Sequence, residues 1–133
     1  GVVAVSARIE QELGELPDDE AQSMREDLGA GVSGLGRVIR AAFELLHLIS
    51  FFTAGEAKEA RAHAIPRGTT AWEAAGKIHS DIQKGFVRAE VVSWKTLVDE
   101  GGYSGARDKG VLKIEGRDYV MQDGDVITIR FTP

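Results

Sequence analysis

The chain has no cysteine. That excludes disulfides and thiolate metal sites within it, and it is compatible with a reducing compartment. No apolar run approaches the roughly 18 residues of a membrane-spanning helix. The first residues lack the basic-then-apolar pattern of a secretory signal. No G-x-x-x-x-G-K-[ST] loop occurs, so nothing in the sequence is built to cradle nucleotide phosphates. There is also no internal repeat and no low-complexity segment. Of 133 residues, 43% are hydrophobic and 28% charged, which is enough to bury a core. The net charge of −5 is uneven. Residues 1–48 hold four Lys/Arg against nine Asp/Glu, and the remainder holds twelve of each. The neutral part therefore attracts nucleic acid only through a local patch.

The clearest local signal lies at residues 65–81, Ile-Pro-Arg-Gly-Thr-Thr-Ala-Trp-Glu-Ala-Ala-Gly-Lys-Ile-His-Ser-Asp. Pro66 and Gly68 break a strand, since proline has no donor and glycine tolerates positive φ. Thr70 and Glu73 have the spacing of a capping box. Ala71, Ala74, Ala75 and Ile78 then form a narrow apolar stripe at helical spacing, which lets a helix lie close to a sheet.

Strands are expected on both sides of that helix. Ile49–Thr53 is β-prone and Arg61–Ile65 alternates, so the two predict a hairpin around a turn at 54–58. Phe86–Val92 predicts a third strand, and Ser93 caps a short helix carrying Trp94, Leu97 and Val98. Tyr103–Gly110 reads as a polar loop. Lys113–Glu115 and Tyr119–Met121 predict a small hairpin about Gly116-Arg117-Asp118. A turn at Asp123-Gly124-Asp125 then leads into an alternating last strand, Val126–Phe131. Upstream, Gly1–Val5 reads as a strand buried on both faces of a parallel sheet. Helices are expected to carry Ile9, Leu13 and Leu16, to open at Pro17, and to follow Ser33 with Leu35, Val38, Ile39, Ala42, Leu45 and Leu46 on one face. A lone buried-type strand without a second β-α unit, and no initial Met, suggest a piece of a larger α/β domain.

Two stretches carry a resemblance: GLGRVIRAAFELLHLISFFTAG from Gly34 and IPRGTTAWEAAGKIHSDIQKGFVRAEV from Ile65. They resemble the C-terminal region of the YchF family, the Obg-like ATPases, whose TGS domain also occurs in threonyl-tRNA synthetases and stringent-response synthetases. The resemblance implies an α+β chain. Residues 49–133 would form a ubiquitin-like β-grasp, the TGS domain, and residues 1–48 would be a helical remnant of the P-loop nucleotide-binding domain. Ser6 and Ala7 would belong to that domain's last nucleobase loop, not functional alone, because neither the family's Mg²⁺-binding acid nor its N-x-x-E motif is present. No cofactor is implied for this piece; ATP, or less well GTP, with Mg²⁺ belongs to the full-length parent. The implied role is non-catalytic and cytoplasmic, as an RNA- or ribosome-interacting module in translation or stress regulation, with neither membrane nor DNA as partner. The alternative is a regulatory module that contacts another protein or the absent G domain of its own parent.

Candidate contacts to RNA are Arg61, Arg67, Lys77, His79, Lys84 and Arg88. Glu73, Asp81 and Glu90 lie among them, so an ordinary mixed-charge surface is the competing reading. Phe51, Phe52, Trp72, Phe86 and Trp94 could stack bases where exposed. The spacing of His47, His63 and His79 matches no metal motif. A His at the helix end, as His79 is, can cap free carbonyls. His63 and His47 stand where the family usually has Trp and Gly, which argues against a family-wide role for either. Asp123 and Asp125 are better explained by a structural turn than by a cation site.

Overall fold

A computed structural model describes residues 1–55 and 58–133. The chain divides into two compact units, Gly1–His47 and Leu48–Pro133.

The first unit is helical. Helix α1 (Ala7–Leu13) is capped by Ser6, whose hydroxyl accepts from the Ile9 amide. Helix α2 (Asp18–Asp27) follows Pro17 and sets Asp18, Asp19 and Glu20 at its positive end. Helix α3 (Gly34–Leu45) is capped by Ser33, which accepts from the Gly36 amide at 2.9 Å. One carboxylate ties the three together. Glu10 on α1 accepts from the Gly34 amide at 2.6 Å and lies 3.6 Å from Arg25 of α2. Gly1–Val5 is not the expected strand; its residues are exposed and carry no ladder. A strand needs a neighbour for its backbone groups, and among the described residues none lies beside this one.

The second unit is a five-stranded mixed sheet with a helix laid across it. Strands β1 (Leu48–Gly55) and β2 (Lys58–Pro66) form the first hairpin, each longer than its sequence pattern indicated. Two residues of the expected turn, Glu56 and Ala57, lie outside the described residues. Helices α4 (Ala71–Ile78) and α5 (Ser80–Lys84) follow, then β3 (Phe86–Ser93), α6 (Trp94–Asp99), α7 (Tyr103–Asp108), β4 (Lys113–Glu115) and β5 (Asp125–Phe131). The strand order is β2-β1-β5-β3-β4, with β1 and β5 parallel at the centre and the other pairs antiparallel.

The capping box on α4 is formed as expected: Glu73 accepts from the Thr70 amide at 2.8 Å, and Thr70 accepts from the Glu73 amide. The alanine stripe does what its narrowness suggested. Ala71, Ala74 and Ala75 are fully buried against Ile49, Phe51, Val91, Met121 and Ile127. The closing turn is structural. Asp123 accepts from the Ser50 amide, and Asp125 accepts from the Tyr119 hydroxyl and the Gln122 amide, both at 2.9 Å. Gly124 holds a φ of 83° there.

Three further expectations are corrected. Tyr103–Gly110 is not a loop, because Tyr103–Asp108 forms helix α7 with Tyr103 and Ala106 buried. Tyr103 packs with Val92 and Val126 on the face of the sheet away from α4, and that burial orders the segment. Lys113–Glu115 does not pair with 119–121; it pairs with β3, placing Ile114 opposite Glu90. Residues 119–121 are drawn instead to the start of α4. The Tyr119 carbonyl accepts from the Ala71 amide, the Met121 amide donates to Thr69, and Met121 enters the core. His79 does not cap the carbonyls of α4. Its backbone is extended (φ −164°, ψ 142°), and its ring accepts from the Asp81 amide at 3.1 Å, opening α5.

Candidate nucleic-acid interface

The six basic candidates do not form one patch. Alternation along β2 puts Arg61, His63 and Ile65 on the side of the sheet that faces α4. The positive charges of Arg61 and of Lys77, on α4, both act on His63. Lys84 pairs elsewhere, with Asp81 at 3.8 Å, so a carboxylate offsets it, and the His79 ring lies beside the same residue. Arg88 lies on the opposite face, opposite Arg130 across the β3–β5 ladder. Arg67 is exposed in the turn after β2. Ser6 caps α1 and Ala7 is its first residue, both within the helical unit.

The sequence pattern had set His63 aside, yet the structure gives it defined surroundings. His63 is directly opposite Phe51 in the β1–β2 ladder, and the two rings stack with centroids 4.9 Å apart and planes 18° from parallel. Its Nε2 is 3.1 Å from the Thr53 hydroxyl. Partial burial, then Arg61 and Lys77, hold its pKa below the ordinary value. The signal was available: a His at an alternate position of an amphipathic strand, two residues from an Arg on the same face.

The ring lines a cleft of about 770 Å³. Among the described residues β1 and β5 pair at Phe52↔Val126 and Thr53↔Ile127. The cleft is lined from both faces of the sheet. On the α4 side lie His63, Ile78, Ile82, Ile129 and Phe131. On the other lie Tyr103, Arg107, Glu90 and Arg130. Glu90 grips Arg130 through two bonds, at 3.1 and 3.3 Å. The Arg130 side chain holds the Glu90 carboxyl below its usual range, and the Tyr103 hydroxyl is raised by burial. Arg61 is loosely held, with Glu59 at 3.8 Å and both side chains largely exposed. Of the aromatic candidates, Phe51 and Phe86 are core, whereas Trp72 and Trp94 are 39% and 54% exposed. Among the described residues no group of His, Asp and Glu is arranged to hold a metal ion. No helix among them is long and apolar enough to cross a membrane.

A mixed sheet with parallel central strands and a helix across one face defines a TGS-like β-grasp unit. Residues 48–132 match the family model YchF-GTPase_C, described as a protein of unknown function (DUF933). The chain belongs to the YchF family and corresponds to its C-terminal part. It is 49% identical over 130 residues to a protein of Pasteurella multocida named ribosome-binding ATPase YchF, covering 98% of this chain and 36% of that one. The protein of the same name from Bacillus subtilis is 48% identical, with 98% and 35% covered. The chain thus spans about a third of the length of these relatives. Among solved structures, the Schizosaccharomyces pombe YchF GTPase superposes with a TM-score of 0.82 at 33% identity, over 95% of this chain and 33% of that one. A GTP-binding protein of Pyrococcus horikoshii gives 0.55 at 26% identity, over 82% and 29%.

Proposed function

We propose that residues 48–133 are a non-catalytic module through which a YchF-type nucleotide hydrolase meets RNA on the ribosome. The observation that carries this reading is that Arg61 and the Phe51-stacked His63 imidazole line one cleft. Cations fix a phosphate backbone, and ring faces take bases. The relatives' name, ribosome-binding ATPase, agrees with it. In the longer protein, ATP in preference to GTP, with Mg²⁺, would be bound by the P-loop domain, which this chain's sequence lacks. A regulatory contact with that domain is the second reading, favoured by the balanced charge of the sheet unit.

The test is co-sedimentation of this chain with ribosomes at low and high salt. Binding is expected at low salt and should fall steeply as salt rises. Arg61→Glu/Lys77→Glu should abolish it, whereas Lys84→Glu, already offset by Asp81, should change it little. Failure to bind at low salt would assign ribosome contact to other parts of the protein and favour the regulatory reading.

A further inference from the structure

We infer that Arg88, Arg107 and Arg130 form a second RNA contact, on the face of the sheet away from α4, and that it takes backbone phosphates rather than bases. This rests on the RNA-facing reading above and adds a surface to it. Arg88 of β3 and Arg130 of β5 are direct partners in the antiparallel ladder. Side chains so placed start about 5 Å apart, and like charges there work against the sheet. Glu90, two residues on from Arg88 along β3, has both carboxylate oxygens committed to Arg130, at 3.1 and 3.3 Å. Arg88 is exposed, and among the described residues its side chain has no hydrogen bond or ion pair. Arg107 of α7 lines the cleft beside Glu90 and Arg130. The charges of all three arginines act on Glu90.

This arrangement suits a phosphodiester. A phosphate seated between Arg88 and Arg130 relieves their repulsion, so binding recovers what the free sheet loses by pairing them. Guanidinium forks take phosphate oxygens in pairs, and the fork of Arg88 is uncommitted. Bases have little to hold on this side. Tyr103 is the aromatic residue of this wall; it is buried, and its hydroxyl lies 3.2 Å from that of Thr128. The contact should therefore ignore base identity and respond to salt. Arg107 and Arg130 line the same cleft as Arg61, from the other face, so the two groups of cations can serve one strand.

The experiment titrates the whole 133-residue chain with single-stranded uridylate and adenylate oligomers, between about 50 and 200 mM salt. Wild type is compared with Arg88→Gln, Arg88→Lys and Arg61→Gln. Arg88→Gln should lower the slope of log affinity against log salt by about 0.7, and weaken binding about 5-fold at about 0.1 M salt, the counterion share of one phosphate on a single strand. The loss should be equal for the two oligomers. Arg88→Lys keeps the charge and should keep the slope. Arg88→Gln removes a cross-strand repulsion, so its thermal melt should be no lower than that of wild type, which separates a lost contact from misfolding. A wild-type slope in Arg88→Gln, with the slope of Arg61→Gln reduced, would overturn this site and leave the RNA-facing reading intact. A loss confined to one oligomer would overturn the phosphate assignment in favour of base recognition. Polyglutamate displacing RNA from wild type at equal charge would overturn RNA as the occupant and point to an acidic protein segment. No binding of either oligomer at low salt by any form would overturn both readings.

Discussion

In residues 48–133, a cap, an alanine stripe and alternating strands all end in burial: Phe51, Ala74, Ala75 and Ala89 have no exposed surface. In residues 1–47 the local signals are as good, yet only Leu13 and Ala21 among the apolar residues are buried. Ser33 caps α3 as cleanly as Thr70 caps α4. The apolar face that follows Ser33, however, is open, with Leu35 65% and Leu45 74% exposed. The difference teaches that periodicity reports which side of a helix is apolar, and nothing about whether that side is covered. Caps act through hydrogen bonds within a turn, whereas cores need partners far away in sequence.

Deleting side chains measures this contrast. Phe51→Ala removes a fully buried ring that also backs His63, and it should cost the sheet unit about 3–5 kcal/mol. Both tryptophans, Trp72 and Trp94, belong to that unit, so urea titration followed by their fluorescence reads its stability directly. Asp125→Ala should come next, at about 1–3 kcal/mol, because it leaves the half-buried Tyr119 hydroxyl and the Gln122 amide without an acceptor. Adding Tyr119→Phe to it should recover part of that loss. Leu35→Ala is expected to be smallest, within about 0.5 kcal/mol by helical circular dichroism, as for an exposed surface position. A Leu35→Ala cost close to that of Phe51→Ala would show that α3 is covered, and would erase the contrast.

Most of the β-grasp was legible before any coordinate was known. Thr70, Glu73 and the alanines define α4 through contacts within a few residues, and the strands announce themselves by alternation. The misreadings share a cause. Tyr103–Asp108 has Gly105 within it and two glycines before it, so its local composition says loop. It is helical because Tyr103 and Ala106 are buried. Gly116-Arg117-Asp118 looks like a hairpin turn, but the strand before it joins β3 while Met121 is pulled under α4. In the candidate site, Arg61 and Lys77 were recognisable as basic residues, but not which face of the sheet Arg61 would take. The offset of Lys84 by Asp81 was also readable, from a spacing of three along one helix. His63 was readable only as a His alternating with Arg61 on one face of a strand; its stacking on Phe51 depends on the β1–β2 register.

The place of β5 in the sheet has a consequence for synthesis. It is made after every other strand, yet it lies at the centre, between β1 and β3. Until it is available, the two sides of the sheet are separate two-stranded pairs, β2-β1 and β3-β4, neither stable alone. The register Phe52↔Val126 joins residues on either side of nearly the whole unit, so closure of the sheet waits until β5 has been made. A nascent chain that stalls before Asp125 would present an open apolar surface to chaperones and proteases.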